Sequence, residues 1–280
     1  MNQIISNSSS TNPTPEKQNV LFHIDENGIA TITLNRPAKK NAFDKHTIEA
    51  LLAILQQLKE SSEAKALVLR ANGSHFSAGA DLNWMQSLAN FSMDENIKDA
   101  ENLAELLHQL DTIPLPSIAL VQGAAFGGAL GLICCCDIAI ASKDTLFCLS
   151  EVKLGLVPAT IGPYVCRAMG QRQARRYMLT AELITAYQAK ELNIIHKLVS
   201  TPHALTPCLQ ELLKQLSRNS PNAIREAKAL CQLCESSPLD ASLRKQTSEL
   251  IAELRVSPEG QEGIGAFLDK RKPNWKISHD

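Results

Sequence analysis

The chain has 280 residues, 44% hydrophobic and 20% charged, enough apolar material for one large domain or two modest ones. A net charge of −1 disfavours a general DNA or RNA binder, which would carry a basic excess, and no apolar run reaches the length of a membrane span. Residues 1–18 are polar, without the basic start and apolar stretch of a secretory signal, and read as a disordered tail.

A bacterial cytoplasmic location is therefore expected ahead of a mitochondrial matrix. The eight cysteines are expected to be reduced, as small apolar core residues. Cys231 and Cys234 form a lone C-x-x-C with no second ligand pair at metal-binding spacing, so no metal is expected.

Residues 20–24 and 29–34 read as strands around a turn at Asn27-Gly28. Asp44 is a candidate cap for a helix whose apolar residues, Ile48, Leu51, Leu52, Leu55 and Leu58, form one stripe. Strand "ALVLR" (66–70) leads into the loop "ANGSHFSAGAD", where Asp81 can cap a further helix. A helix over roughly 94–110 precedes strand 117–122, and strand 137–142 follows. Strands alternating with helices of this length predict an α/β fold with a mainly parallel sheet. Beyond about residue 200 the pattern is amphipathic helix only, over 205–216, 223–233 and 243–254. The expected division is a core over 19–200 and a helical region over 201–280.

Three segments carry the chemistry. "GAAFGGALGL" (123–132) follows a strand with nearly bare backbone and enters a helix, leaving unpaired N–H groups that suit an anion or a developing oxyanion. It matches neither G-x-G-x-x-G nor the phosphate loop, and a tightly packed helix explains the glycines equally well. "HFSAGADL" (75–82) is a second bare loop at a strand end, and two such loops can face one crevice. In the third segment Glu151 stands among Leu146, Phe147, Leu149, Val152 and Leu154, company that raises a carboxyl pKa towards proton transfer. Pairing with Lys153 or exposure to water is the alternative for Glu151. Ser77 and Ser150 lack the G-x-S-x-G setting of a serine hydrolase, and His75 reads as a surface hydrogen bonder. The cationic run "QRQARRY" (171–177) reads as a solvated helix face or subunit contact. Trp84 and Met85 border a ligand pocket or, by default, pack in the core.

Together "LNRPAKKNAF" (34–43), "HFSAGADL", "VQGAAFGGALGL…CCDIAIAS", "FCLSEVKLGLVP" and "EGIGAFLDKRKPNW" resemble, in order, the motifs of the crotonase (enoyl-CoA hydratase/isomerase) superfamily over residues 20–276. The resemblance implies a spiral of ββα units with a C-terminal helical trimerisation region, assembling as a trimer or dimer of trimers. It implies an acyl-CoA substrate and no separate cofactor. The oxyanion donors fall on the backbone N–H groups of Ala80 and Gly128, and the catalytic carboxylate on Glu151. Lys39, Lys40, Ala42, Ala78, Asp81, Leu82 and Gly127 fall on substrate and CoA positions. Phe267 and Lys270 fall on positions that reach the CoA of a neighbouring subunit.

One departure stands out. Family hydratases carry a second glutamate twenty residues before the one matched by Glu151, and here that residue is Gly131. The dienoyl isomerases' aspartate, eight residues after, is Ala159. The wording of the motifs most resembles bacterial 3-methylglutaconyl-CoA hydratases, implying water addition to an enoyl-CoA in leucine/isovalerate or fatty-acid breakdown. A lone carboxylate instead fits a 3,2-enoyl-CoA isomerase, and a non-catalytic acyl-CoA or RNA binder is the further alternative. For hydration, Glu151 is expected to hold the water, the space at Gly131 to take a second water or substrate bulk, and Arg167 to reach a distal carboxylate.

Overall fold

The computed structural model describes residues 18–275, so all but the last residue of the expected 1–18 tail lies outside the described residues. β1 (Val20–Ile24) and β2 (Ile29–Leu34) pair antiparallel across the predicted turn. The Asp25 carboxylate accepts the Asn27 and Ile29 N–H groups, and Gly28 adopts φ 81°, the left-handed region open to glycine.

The remaining strands are β3 (Ala66–Ala71), β4 (Ser117–Val121), β5 (Ala124–Phe126), β6 (Ile138–Ser142), β7 (Leu146–Cys148), β8 (Ile184–Thr185) and β9 (Lys197–Val199). A six-stranded sheet runs β1-β2-β3-β4-β6-β9, parallel from β2 onward. A small second sheet, β5-β7-β8, stands beside it. The helices are α1 (Lys45–Glu60), α2 (Leu82–Leu88), α3 (Met93–Thr112), α4 (Gly128–Cys135), α5 (Gly162–Met169), α6 (Gln171–Thr180), α7 (Ala186–Glu191), α8 (Leu205–Leu216), α9 (Pro221–Ser236), α10 (Ala241–Val256) and α11 (Pro258–Leu268).

Strand periodicity divides the core. Leu67, Leu69, Ala119 and Val121 face the helices α1, α3 and α4, while Val68, Ile118 and Leu120 face Leu205, Cys208 and Leu209 of α8. Asp44 caps α1 by accepting the Thr47 N–H at 2.9 Å, and the predicted stripe buries Ile48, Leu51, Leu55 and Leu58, with Leu52 half-buried. Each fully buried leucine of this kind contributes about 1.5–3 kcal/mol.

The last three helices bury little of themselves: only Leu243 and Ala266 among the buried residues belong to α9–α11. Polar ties hold α9 to the core. Lys228 donates to the Leu115 carbonyl and pairs with Asp137, and Gln232 donates to the Asp111 carbonyl.

All eight cysteines are free. Cys135, Cys136, Cys148 and Cys208 are buried, and burial pushes the Cys134 thiol up to about 12, as core thiols should behave. Cys231 and Cys234 depart from that expectation, since both lie exposed on α9. No group of three or more metal-ligating side chains occurs among the described residues. No described helix is long and apolar enough to cross a membrane.

Candidate active site

The two bare loops are laced together by main-chain hydrogen bonds. The Phe76 N–H donates to Gln122 O at 2.8 Å, Ser77 N–H to Ala124 O at 3.0 Å, and Phe126 N–H to Ser77 O at 3.0 Å. Loop 75–81 thereby runs as an extra parallel partner along β5, which brings the two strand-end loops side by side as expected. Glycine is required at Gly79 and Gly127. Both have positive φ, and a β-carbon at Gly79 would meet the Phe126 carbonyl at 3.0 Å.

Phe43 closes the arrangement from a third segment. Its N–H donates to Gly79 O at 2.8 Å and its carbonyl accepts the Asp81 N–H at 2.6 Å, bracketing Ala80. Its buried ring lies against Gly128, where an added β-carbon would sit 3.7 Å from Cδ2. Among the described residues the Ala80 and Gly128 N–H groups have no acceptor. Gly128 opens α4, so its N–H also carries the positive end of the helix dipole.

Glu151 begins a 3₁₀ turn, Glu151–Leu154, just after β7. It lies so close to Gly127 that a methyl group there would be 3.2 Å from its Oε1. Its Oε2 is buried without a hydrogen-bond partner, and burial raises the carboxyl pKa above the usual range, its own backbone N–H opposing in part. The pairing with Lys153 is not formed.

The expected space at Gly131 is absent. Ile161, at the entrance to α5, and Leu107 of α3 pack onto this glycine: an added β-carbon would meet Ile161 Cβ at 2.9 Å and Leu107 Cδ2 at 3.1 Å. Neither a second water nor substrate bulk fits there, because the wall is already filled by aliphatic carbon.

The other expected site residues fall in two groups. Asp81 caps α2 through Oδ1 and pairs through Oδ2 with Lys39 at 3.1 Å and Arg36 at 2.9 Å. Burial alone would raise its pKa, but hydrogen bonds from Lys39, the Asn83 N–H and Arg36 outweigh it and hold the carboxyl below its ordinary value. The Lys40 carbonyl accepts the Ala78 N–H at 2.9 Å, so Lys39, Lys40, buried Ala42 and Ala78 all border the first loop. Leu82 follows with its side chain open to solvent, and Trp84 and Met85 are half-buried. Phe267 and Lys270 belong to the second group: Phe267 is 83% exposed near the end of α11, Lys270 is exposed just beyond it, and neither is shown in contact with this loop cluster.

Two expectations are corrected, those for Arg167 and His75. Arg167 is not free for a carboxylate ligand. Its fork is taken by Asp111 and by Glu235, and its cation lies 5.4 Å from the Tyr164 ring centre. With Cys134 and Lys228 it lines a different cavity, of about 440 Å³, between α9 and the core. His75 is half-buried with an unpartnered Nδ1 rather than a surface hydrogen bonder. Ser77 is fully buried, its hydroxyl accepting the Gly79 N–H. The run 171–177 lies on α6, with Arg172, Arg175 and Arg176 exposed over buried Ala174 and Tyr177. Sequence reasoning missed Arg36, Asn41 and Phe43, although all three stand inside "LNRPAKKNAF".

A model of the family described as enoyl-CoA hydratase/isomerase matches residues 25–278. A solved enoyl-CoA hydratase from Shewanella pealeana is 48% identical, with a TM-score of 0.88 over 94% of this chain and 100% of that one. A 2,3-dehydroadipyl-CoA hydratase of Escherichia coli strain K12 is 31% identical over 89% of this chain and 95% of its own length. A trans-2-decenoyl-[acyl-carrier-protein] isomerase of Streptococcus mutans is 29% identical over 91% of this chain and 97% of its own.

Proposed function

The chain belongs to the enoyl-CoA hydratase/isomerase family, with its crotonase fold, and on that premise we propose that it adds water across the double bond of an enoyl-CoA with Glu151 as its single acid–base group. One observation carries the reading: an unpaired, half-buried carboxyl with a raised pKa touches Gly127, immediately before the free Gly128 N–H. The thioester oxygen would accept the Ala80 and Gly128 N–H groups, which favour the enolate over the ground-state carbonyl. Water oxygen bonds to Cβ, Glu151 takes the water's proton, and Cα receives one proton from the carboxyl. The product is a 3-hydroxyacyl thioester, and the carboxylate is regenerated. The reaction is redox-neutral and consumes only the CoA thioester and water.

A second reading, migration of the double bond, is favoured by Ile161 and Leu107 filling the Gly131 position. One carboxylate is sufficient to remove a proton from Cα or Cγ and return it two carbons away. Motif wording is what supports 3-methylglutaconyl-CoA as the substrate. Arg167, the cation expected to reach its distal carboxylate, is held by Asp111 and Glu235, and on that ground we propose an uncharged enoyl chain. The CoA moiety is proposed to run past Lys39, Lys40, Ala78 and Leu82. The apolar residues uncovered on α11, Ile264, Phe267 and Leu268, support trimeric self-association.

A panel of enoyl-CoA thioesters, including 3-methylglutaconyl-CoA, tests these readings together. Formation of a 3-hydroxyacyl-CoA, separated from the enoyl isomers by chromatography, reports hydration. Deuterium uptake with the double bond conserved reports migration. Inactivity on every thioester would overturn both.

A further inference from the structure

We propose that Arg36 is a positioning residue that sets the direction of the Ala80 N–H, an inference that rests on the oxyanion reading above. The guanidinium is nearly buried, its side chain 12% exposed, and it reaches three residues on two segments at once. Nη1 donates to the Ala42 carbonyl at 2.6 Å and pairs with Asp44 at 2.9 Å, while Nη2 pairs with Asp81 at 2.9 Å. The two carboxylates are the N-terminal caps of α1 and α2. Arg36 therefore joins the starts of two helices that are far apart in sequence.

Phe43 lies between Ala42 and Asp44, the two residues that Arg36 grips on one side. Its two backbone hydrogen bonds, to Gly79 O and from Asp81 N–H, enclose Ala80. Asp81, gripped on the other side, is the next residue after Ala80. The Ala80 peptide is thus fixed by main-chain bonds whose two strands are held together by one cation. Asn41 reinforces the same frame: its Oδ1 accepts the Arg36 N–H at 2.8 Å, and its Nδ2 donates to the Asn72 and His75 carbonyls. A lysine cannot replace this grip, because an ammonium lacks the planar fork that addresses two carboxylates along separate directions. Arg36 touches no reacting atom in this arrangement. It acts through Asp81 and Phe43.

The experiment uses the full chain and dimethylaminocinnamoyl-CoA, a chromophoric thioester whose absorbance moves to longer wavelength when its carbonyl is polarised. Wild-type protein should show the red shift. R36K and R36M should lose most of it and lose kcat by about 10²-fold, the usual effect of an ångström-scale misplacement. KM and affinity for free CoA, which has no thioester carbonyl, should change little. D44N, which keeps a capping side chain but removes one charge from Arg36, should lose part of the red shift and remains informative if R36M fails to fold. Full red shift and near-wild-type kcat in R36K and D44N would overturn the proposal. Parallel loss of CoA affinity and of the folded state in all three variants would also overturn it, in favour of a purely structural role. Absence of a red shift in wild type would overturn the oxyanion reading itself, and the role of Arg36 with it.

Discussion

Ile161 and Gly131 are packed in direct apposition, the isoleucine Cβ only 2.9 Å from where a Gly131 side chain would begin. The carboxylate missing from this position is therefore not an unfilled vacancy. G131E should not raise hydration. It should destabilise the fold by about 1–3 kcal/mol, the ordinary cost of overpacking a filled core, or more if the charge is buried. G131E combined with I161G, which removes the opposing carbons, is the variant in which a second acid can be accommodated. Crotonyl-CoA hydration and thermal unfolding of the three proteins check this.

Glu151→Gln should lower turnover by about 10²–10⁴-fold, the range for loss of a positioned general acid–base group. The proposed oxyanion donors, the Ala80 and Gly128 N–H groups, are main-chain atoms and remain. Red-shift binding of the chromophoric thioester should therefore survive in this variant while hydration and isomerisation both collapse, as steady-state assays with the same thioester panel would show.

Burial raises the Glu151 pKa, and the sign of the pH dependence follows. The folded protein holds this proton more tightly than the unfolded chain does. The stabilisation from the protonated carboxyl is complete below the ordinary carboxylate pKa and is lost as pH rises through the folded one. Glu151→Gln should therefore unfold at a higher temperature than wild type near neutral pH, the difference shrinking in acid. Activity, which needs the carboxylate, should have an acid limb above the usual glutamate range. Unfolding midpoints and kcat/KM across pH measure the two effects.

Gly128 has a milder constraint than Gly127. Its φ is not in the left-handed region, and an added β-carbon makes an ordinary 3.7 Å contact with the Phe43 ring. Gly128→Ala should fold with little change in stability. Gly128→Val must displace Phe43, and with it the clamp on Ala80, so turnover should drop about 10²-fold or more, on the scale of losing one oxyanion donor. Circular dichroism alongside kinetics separates the outcomes.

Phe267 and Leu268 leave a large apolar area uncovered near the end of α11. If this area seals the proposed trimer, Phe267→Asp with Leu268→Asp should move the sedimentation profile towards monomer relative to wild type, while α1–α8 keep their helical signal.

The strands and helices that touch the large sheet were legible because both periodicities are sharp there. Examples are the stripe Ile48–Leu51–Leu55–Leu58 and the parallel runs of β3 and β4. The small sheet β5-β7-β8 was not. Its strands are two or three residues long, too short for alternation to show, and β5 lies within the glycine-rich run itself. The burial of Glu151 and its raised pKa were legible from its apolar company. The Gly131 wall was not, since Ile161 is thirty positions distant and its contact exists only after α4 and α5 pack. Arg36 carried no local signal either. A cation before a proline normally reads as a solvated turn residue, and only the folded chain brings Asp44 and Asp81 to it.

The hydrogen-bonded lacing of Ser77 to Ala124 and Phe126 bears on how this protein can change over time. The spacing of its two loops is written in the main chain, so replacement at their non-glycine positions need not disturb the ladder that holds them. Innovation is left to the side chains around it: a glutamate, an isoleucine, a leucine. A single scaffold of this kind can be retargeted from one proton transfer to another by a few exchanges, with the electrostatic half of catalysis inherited intact.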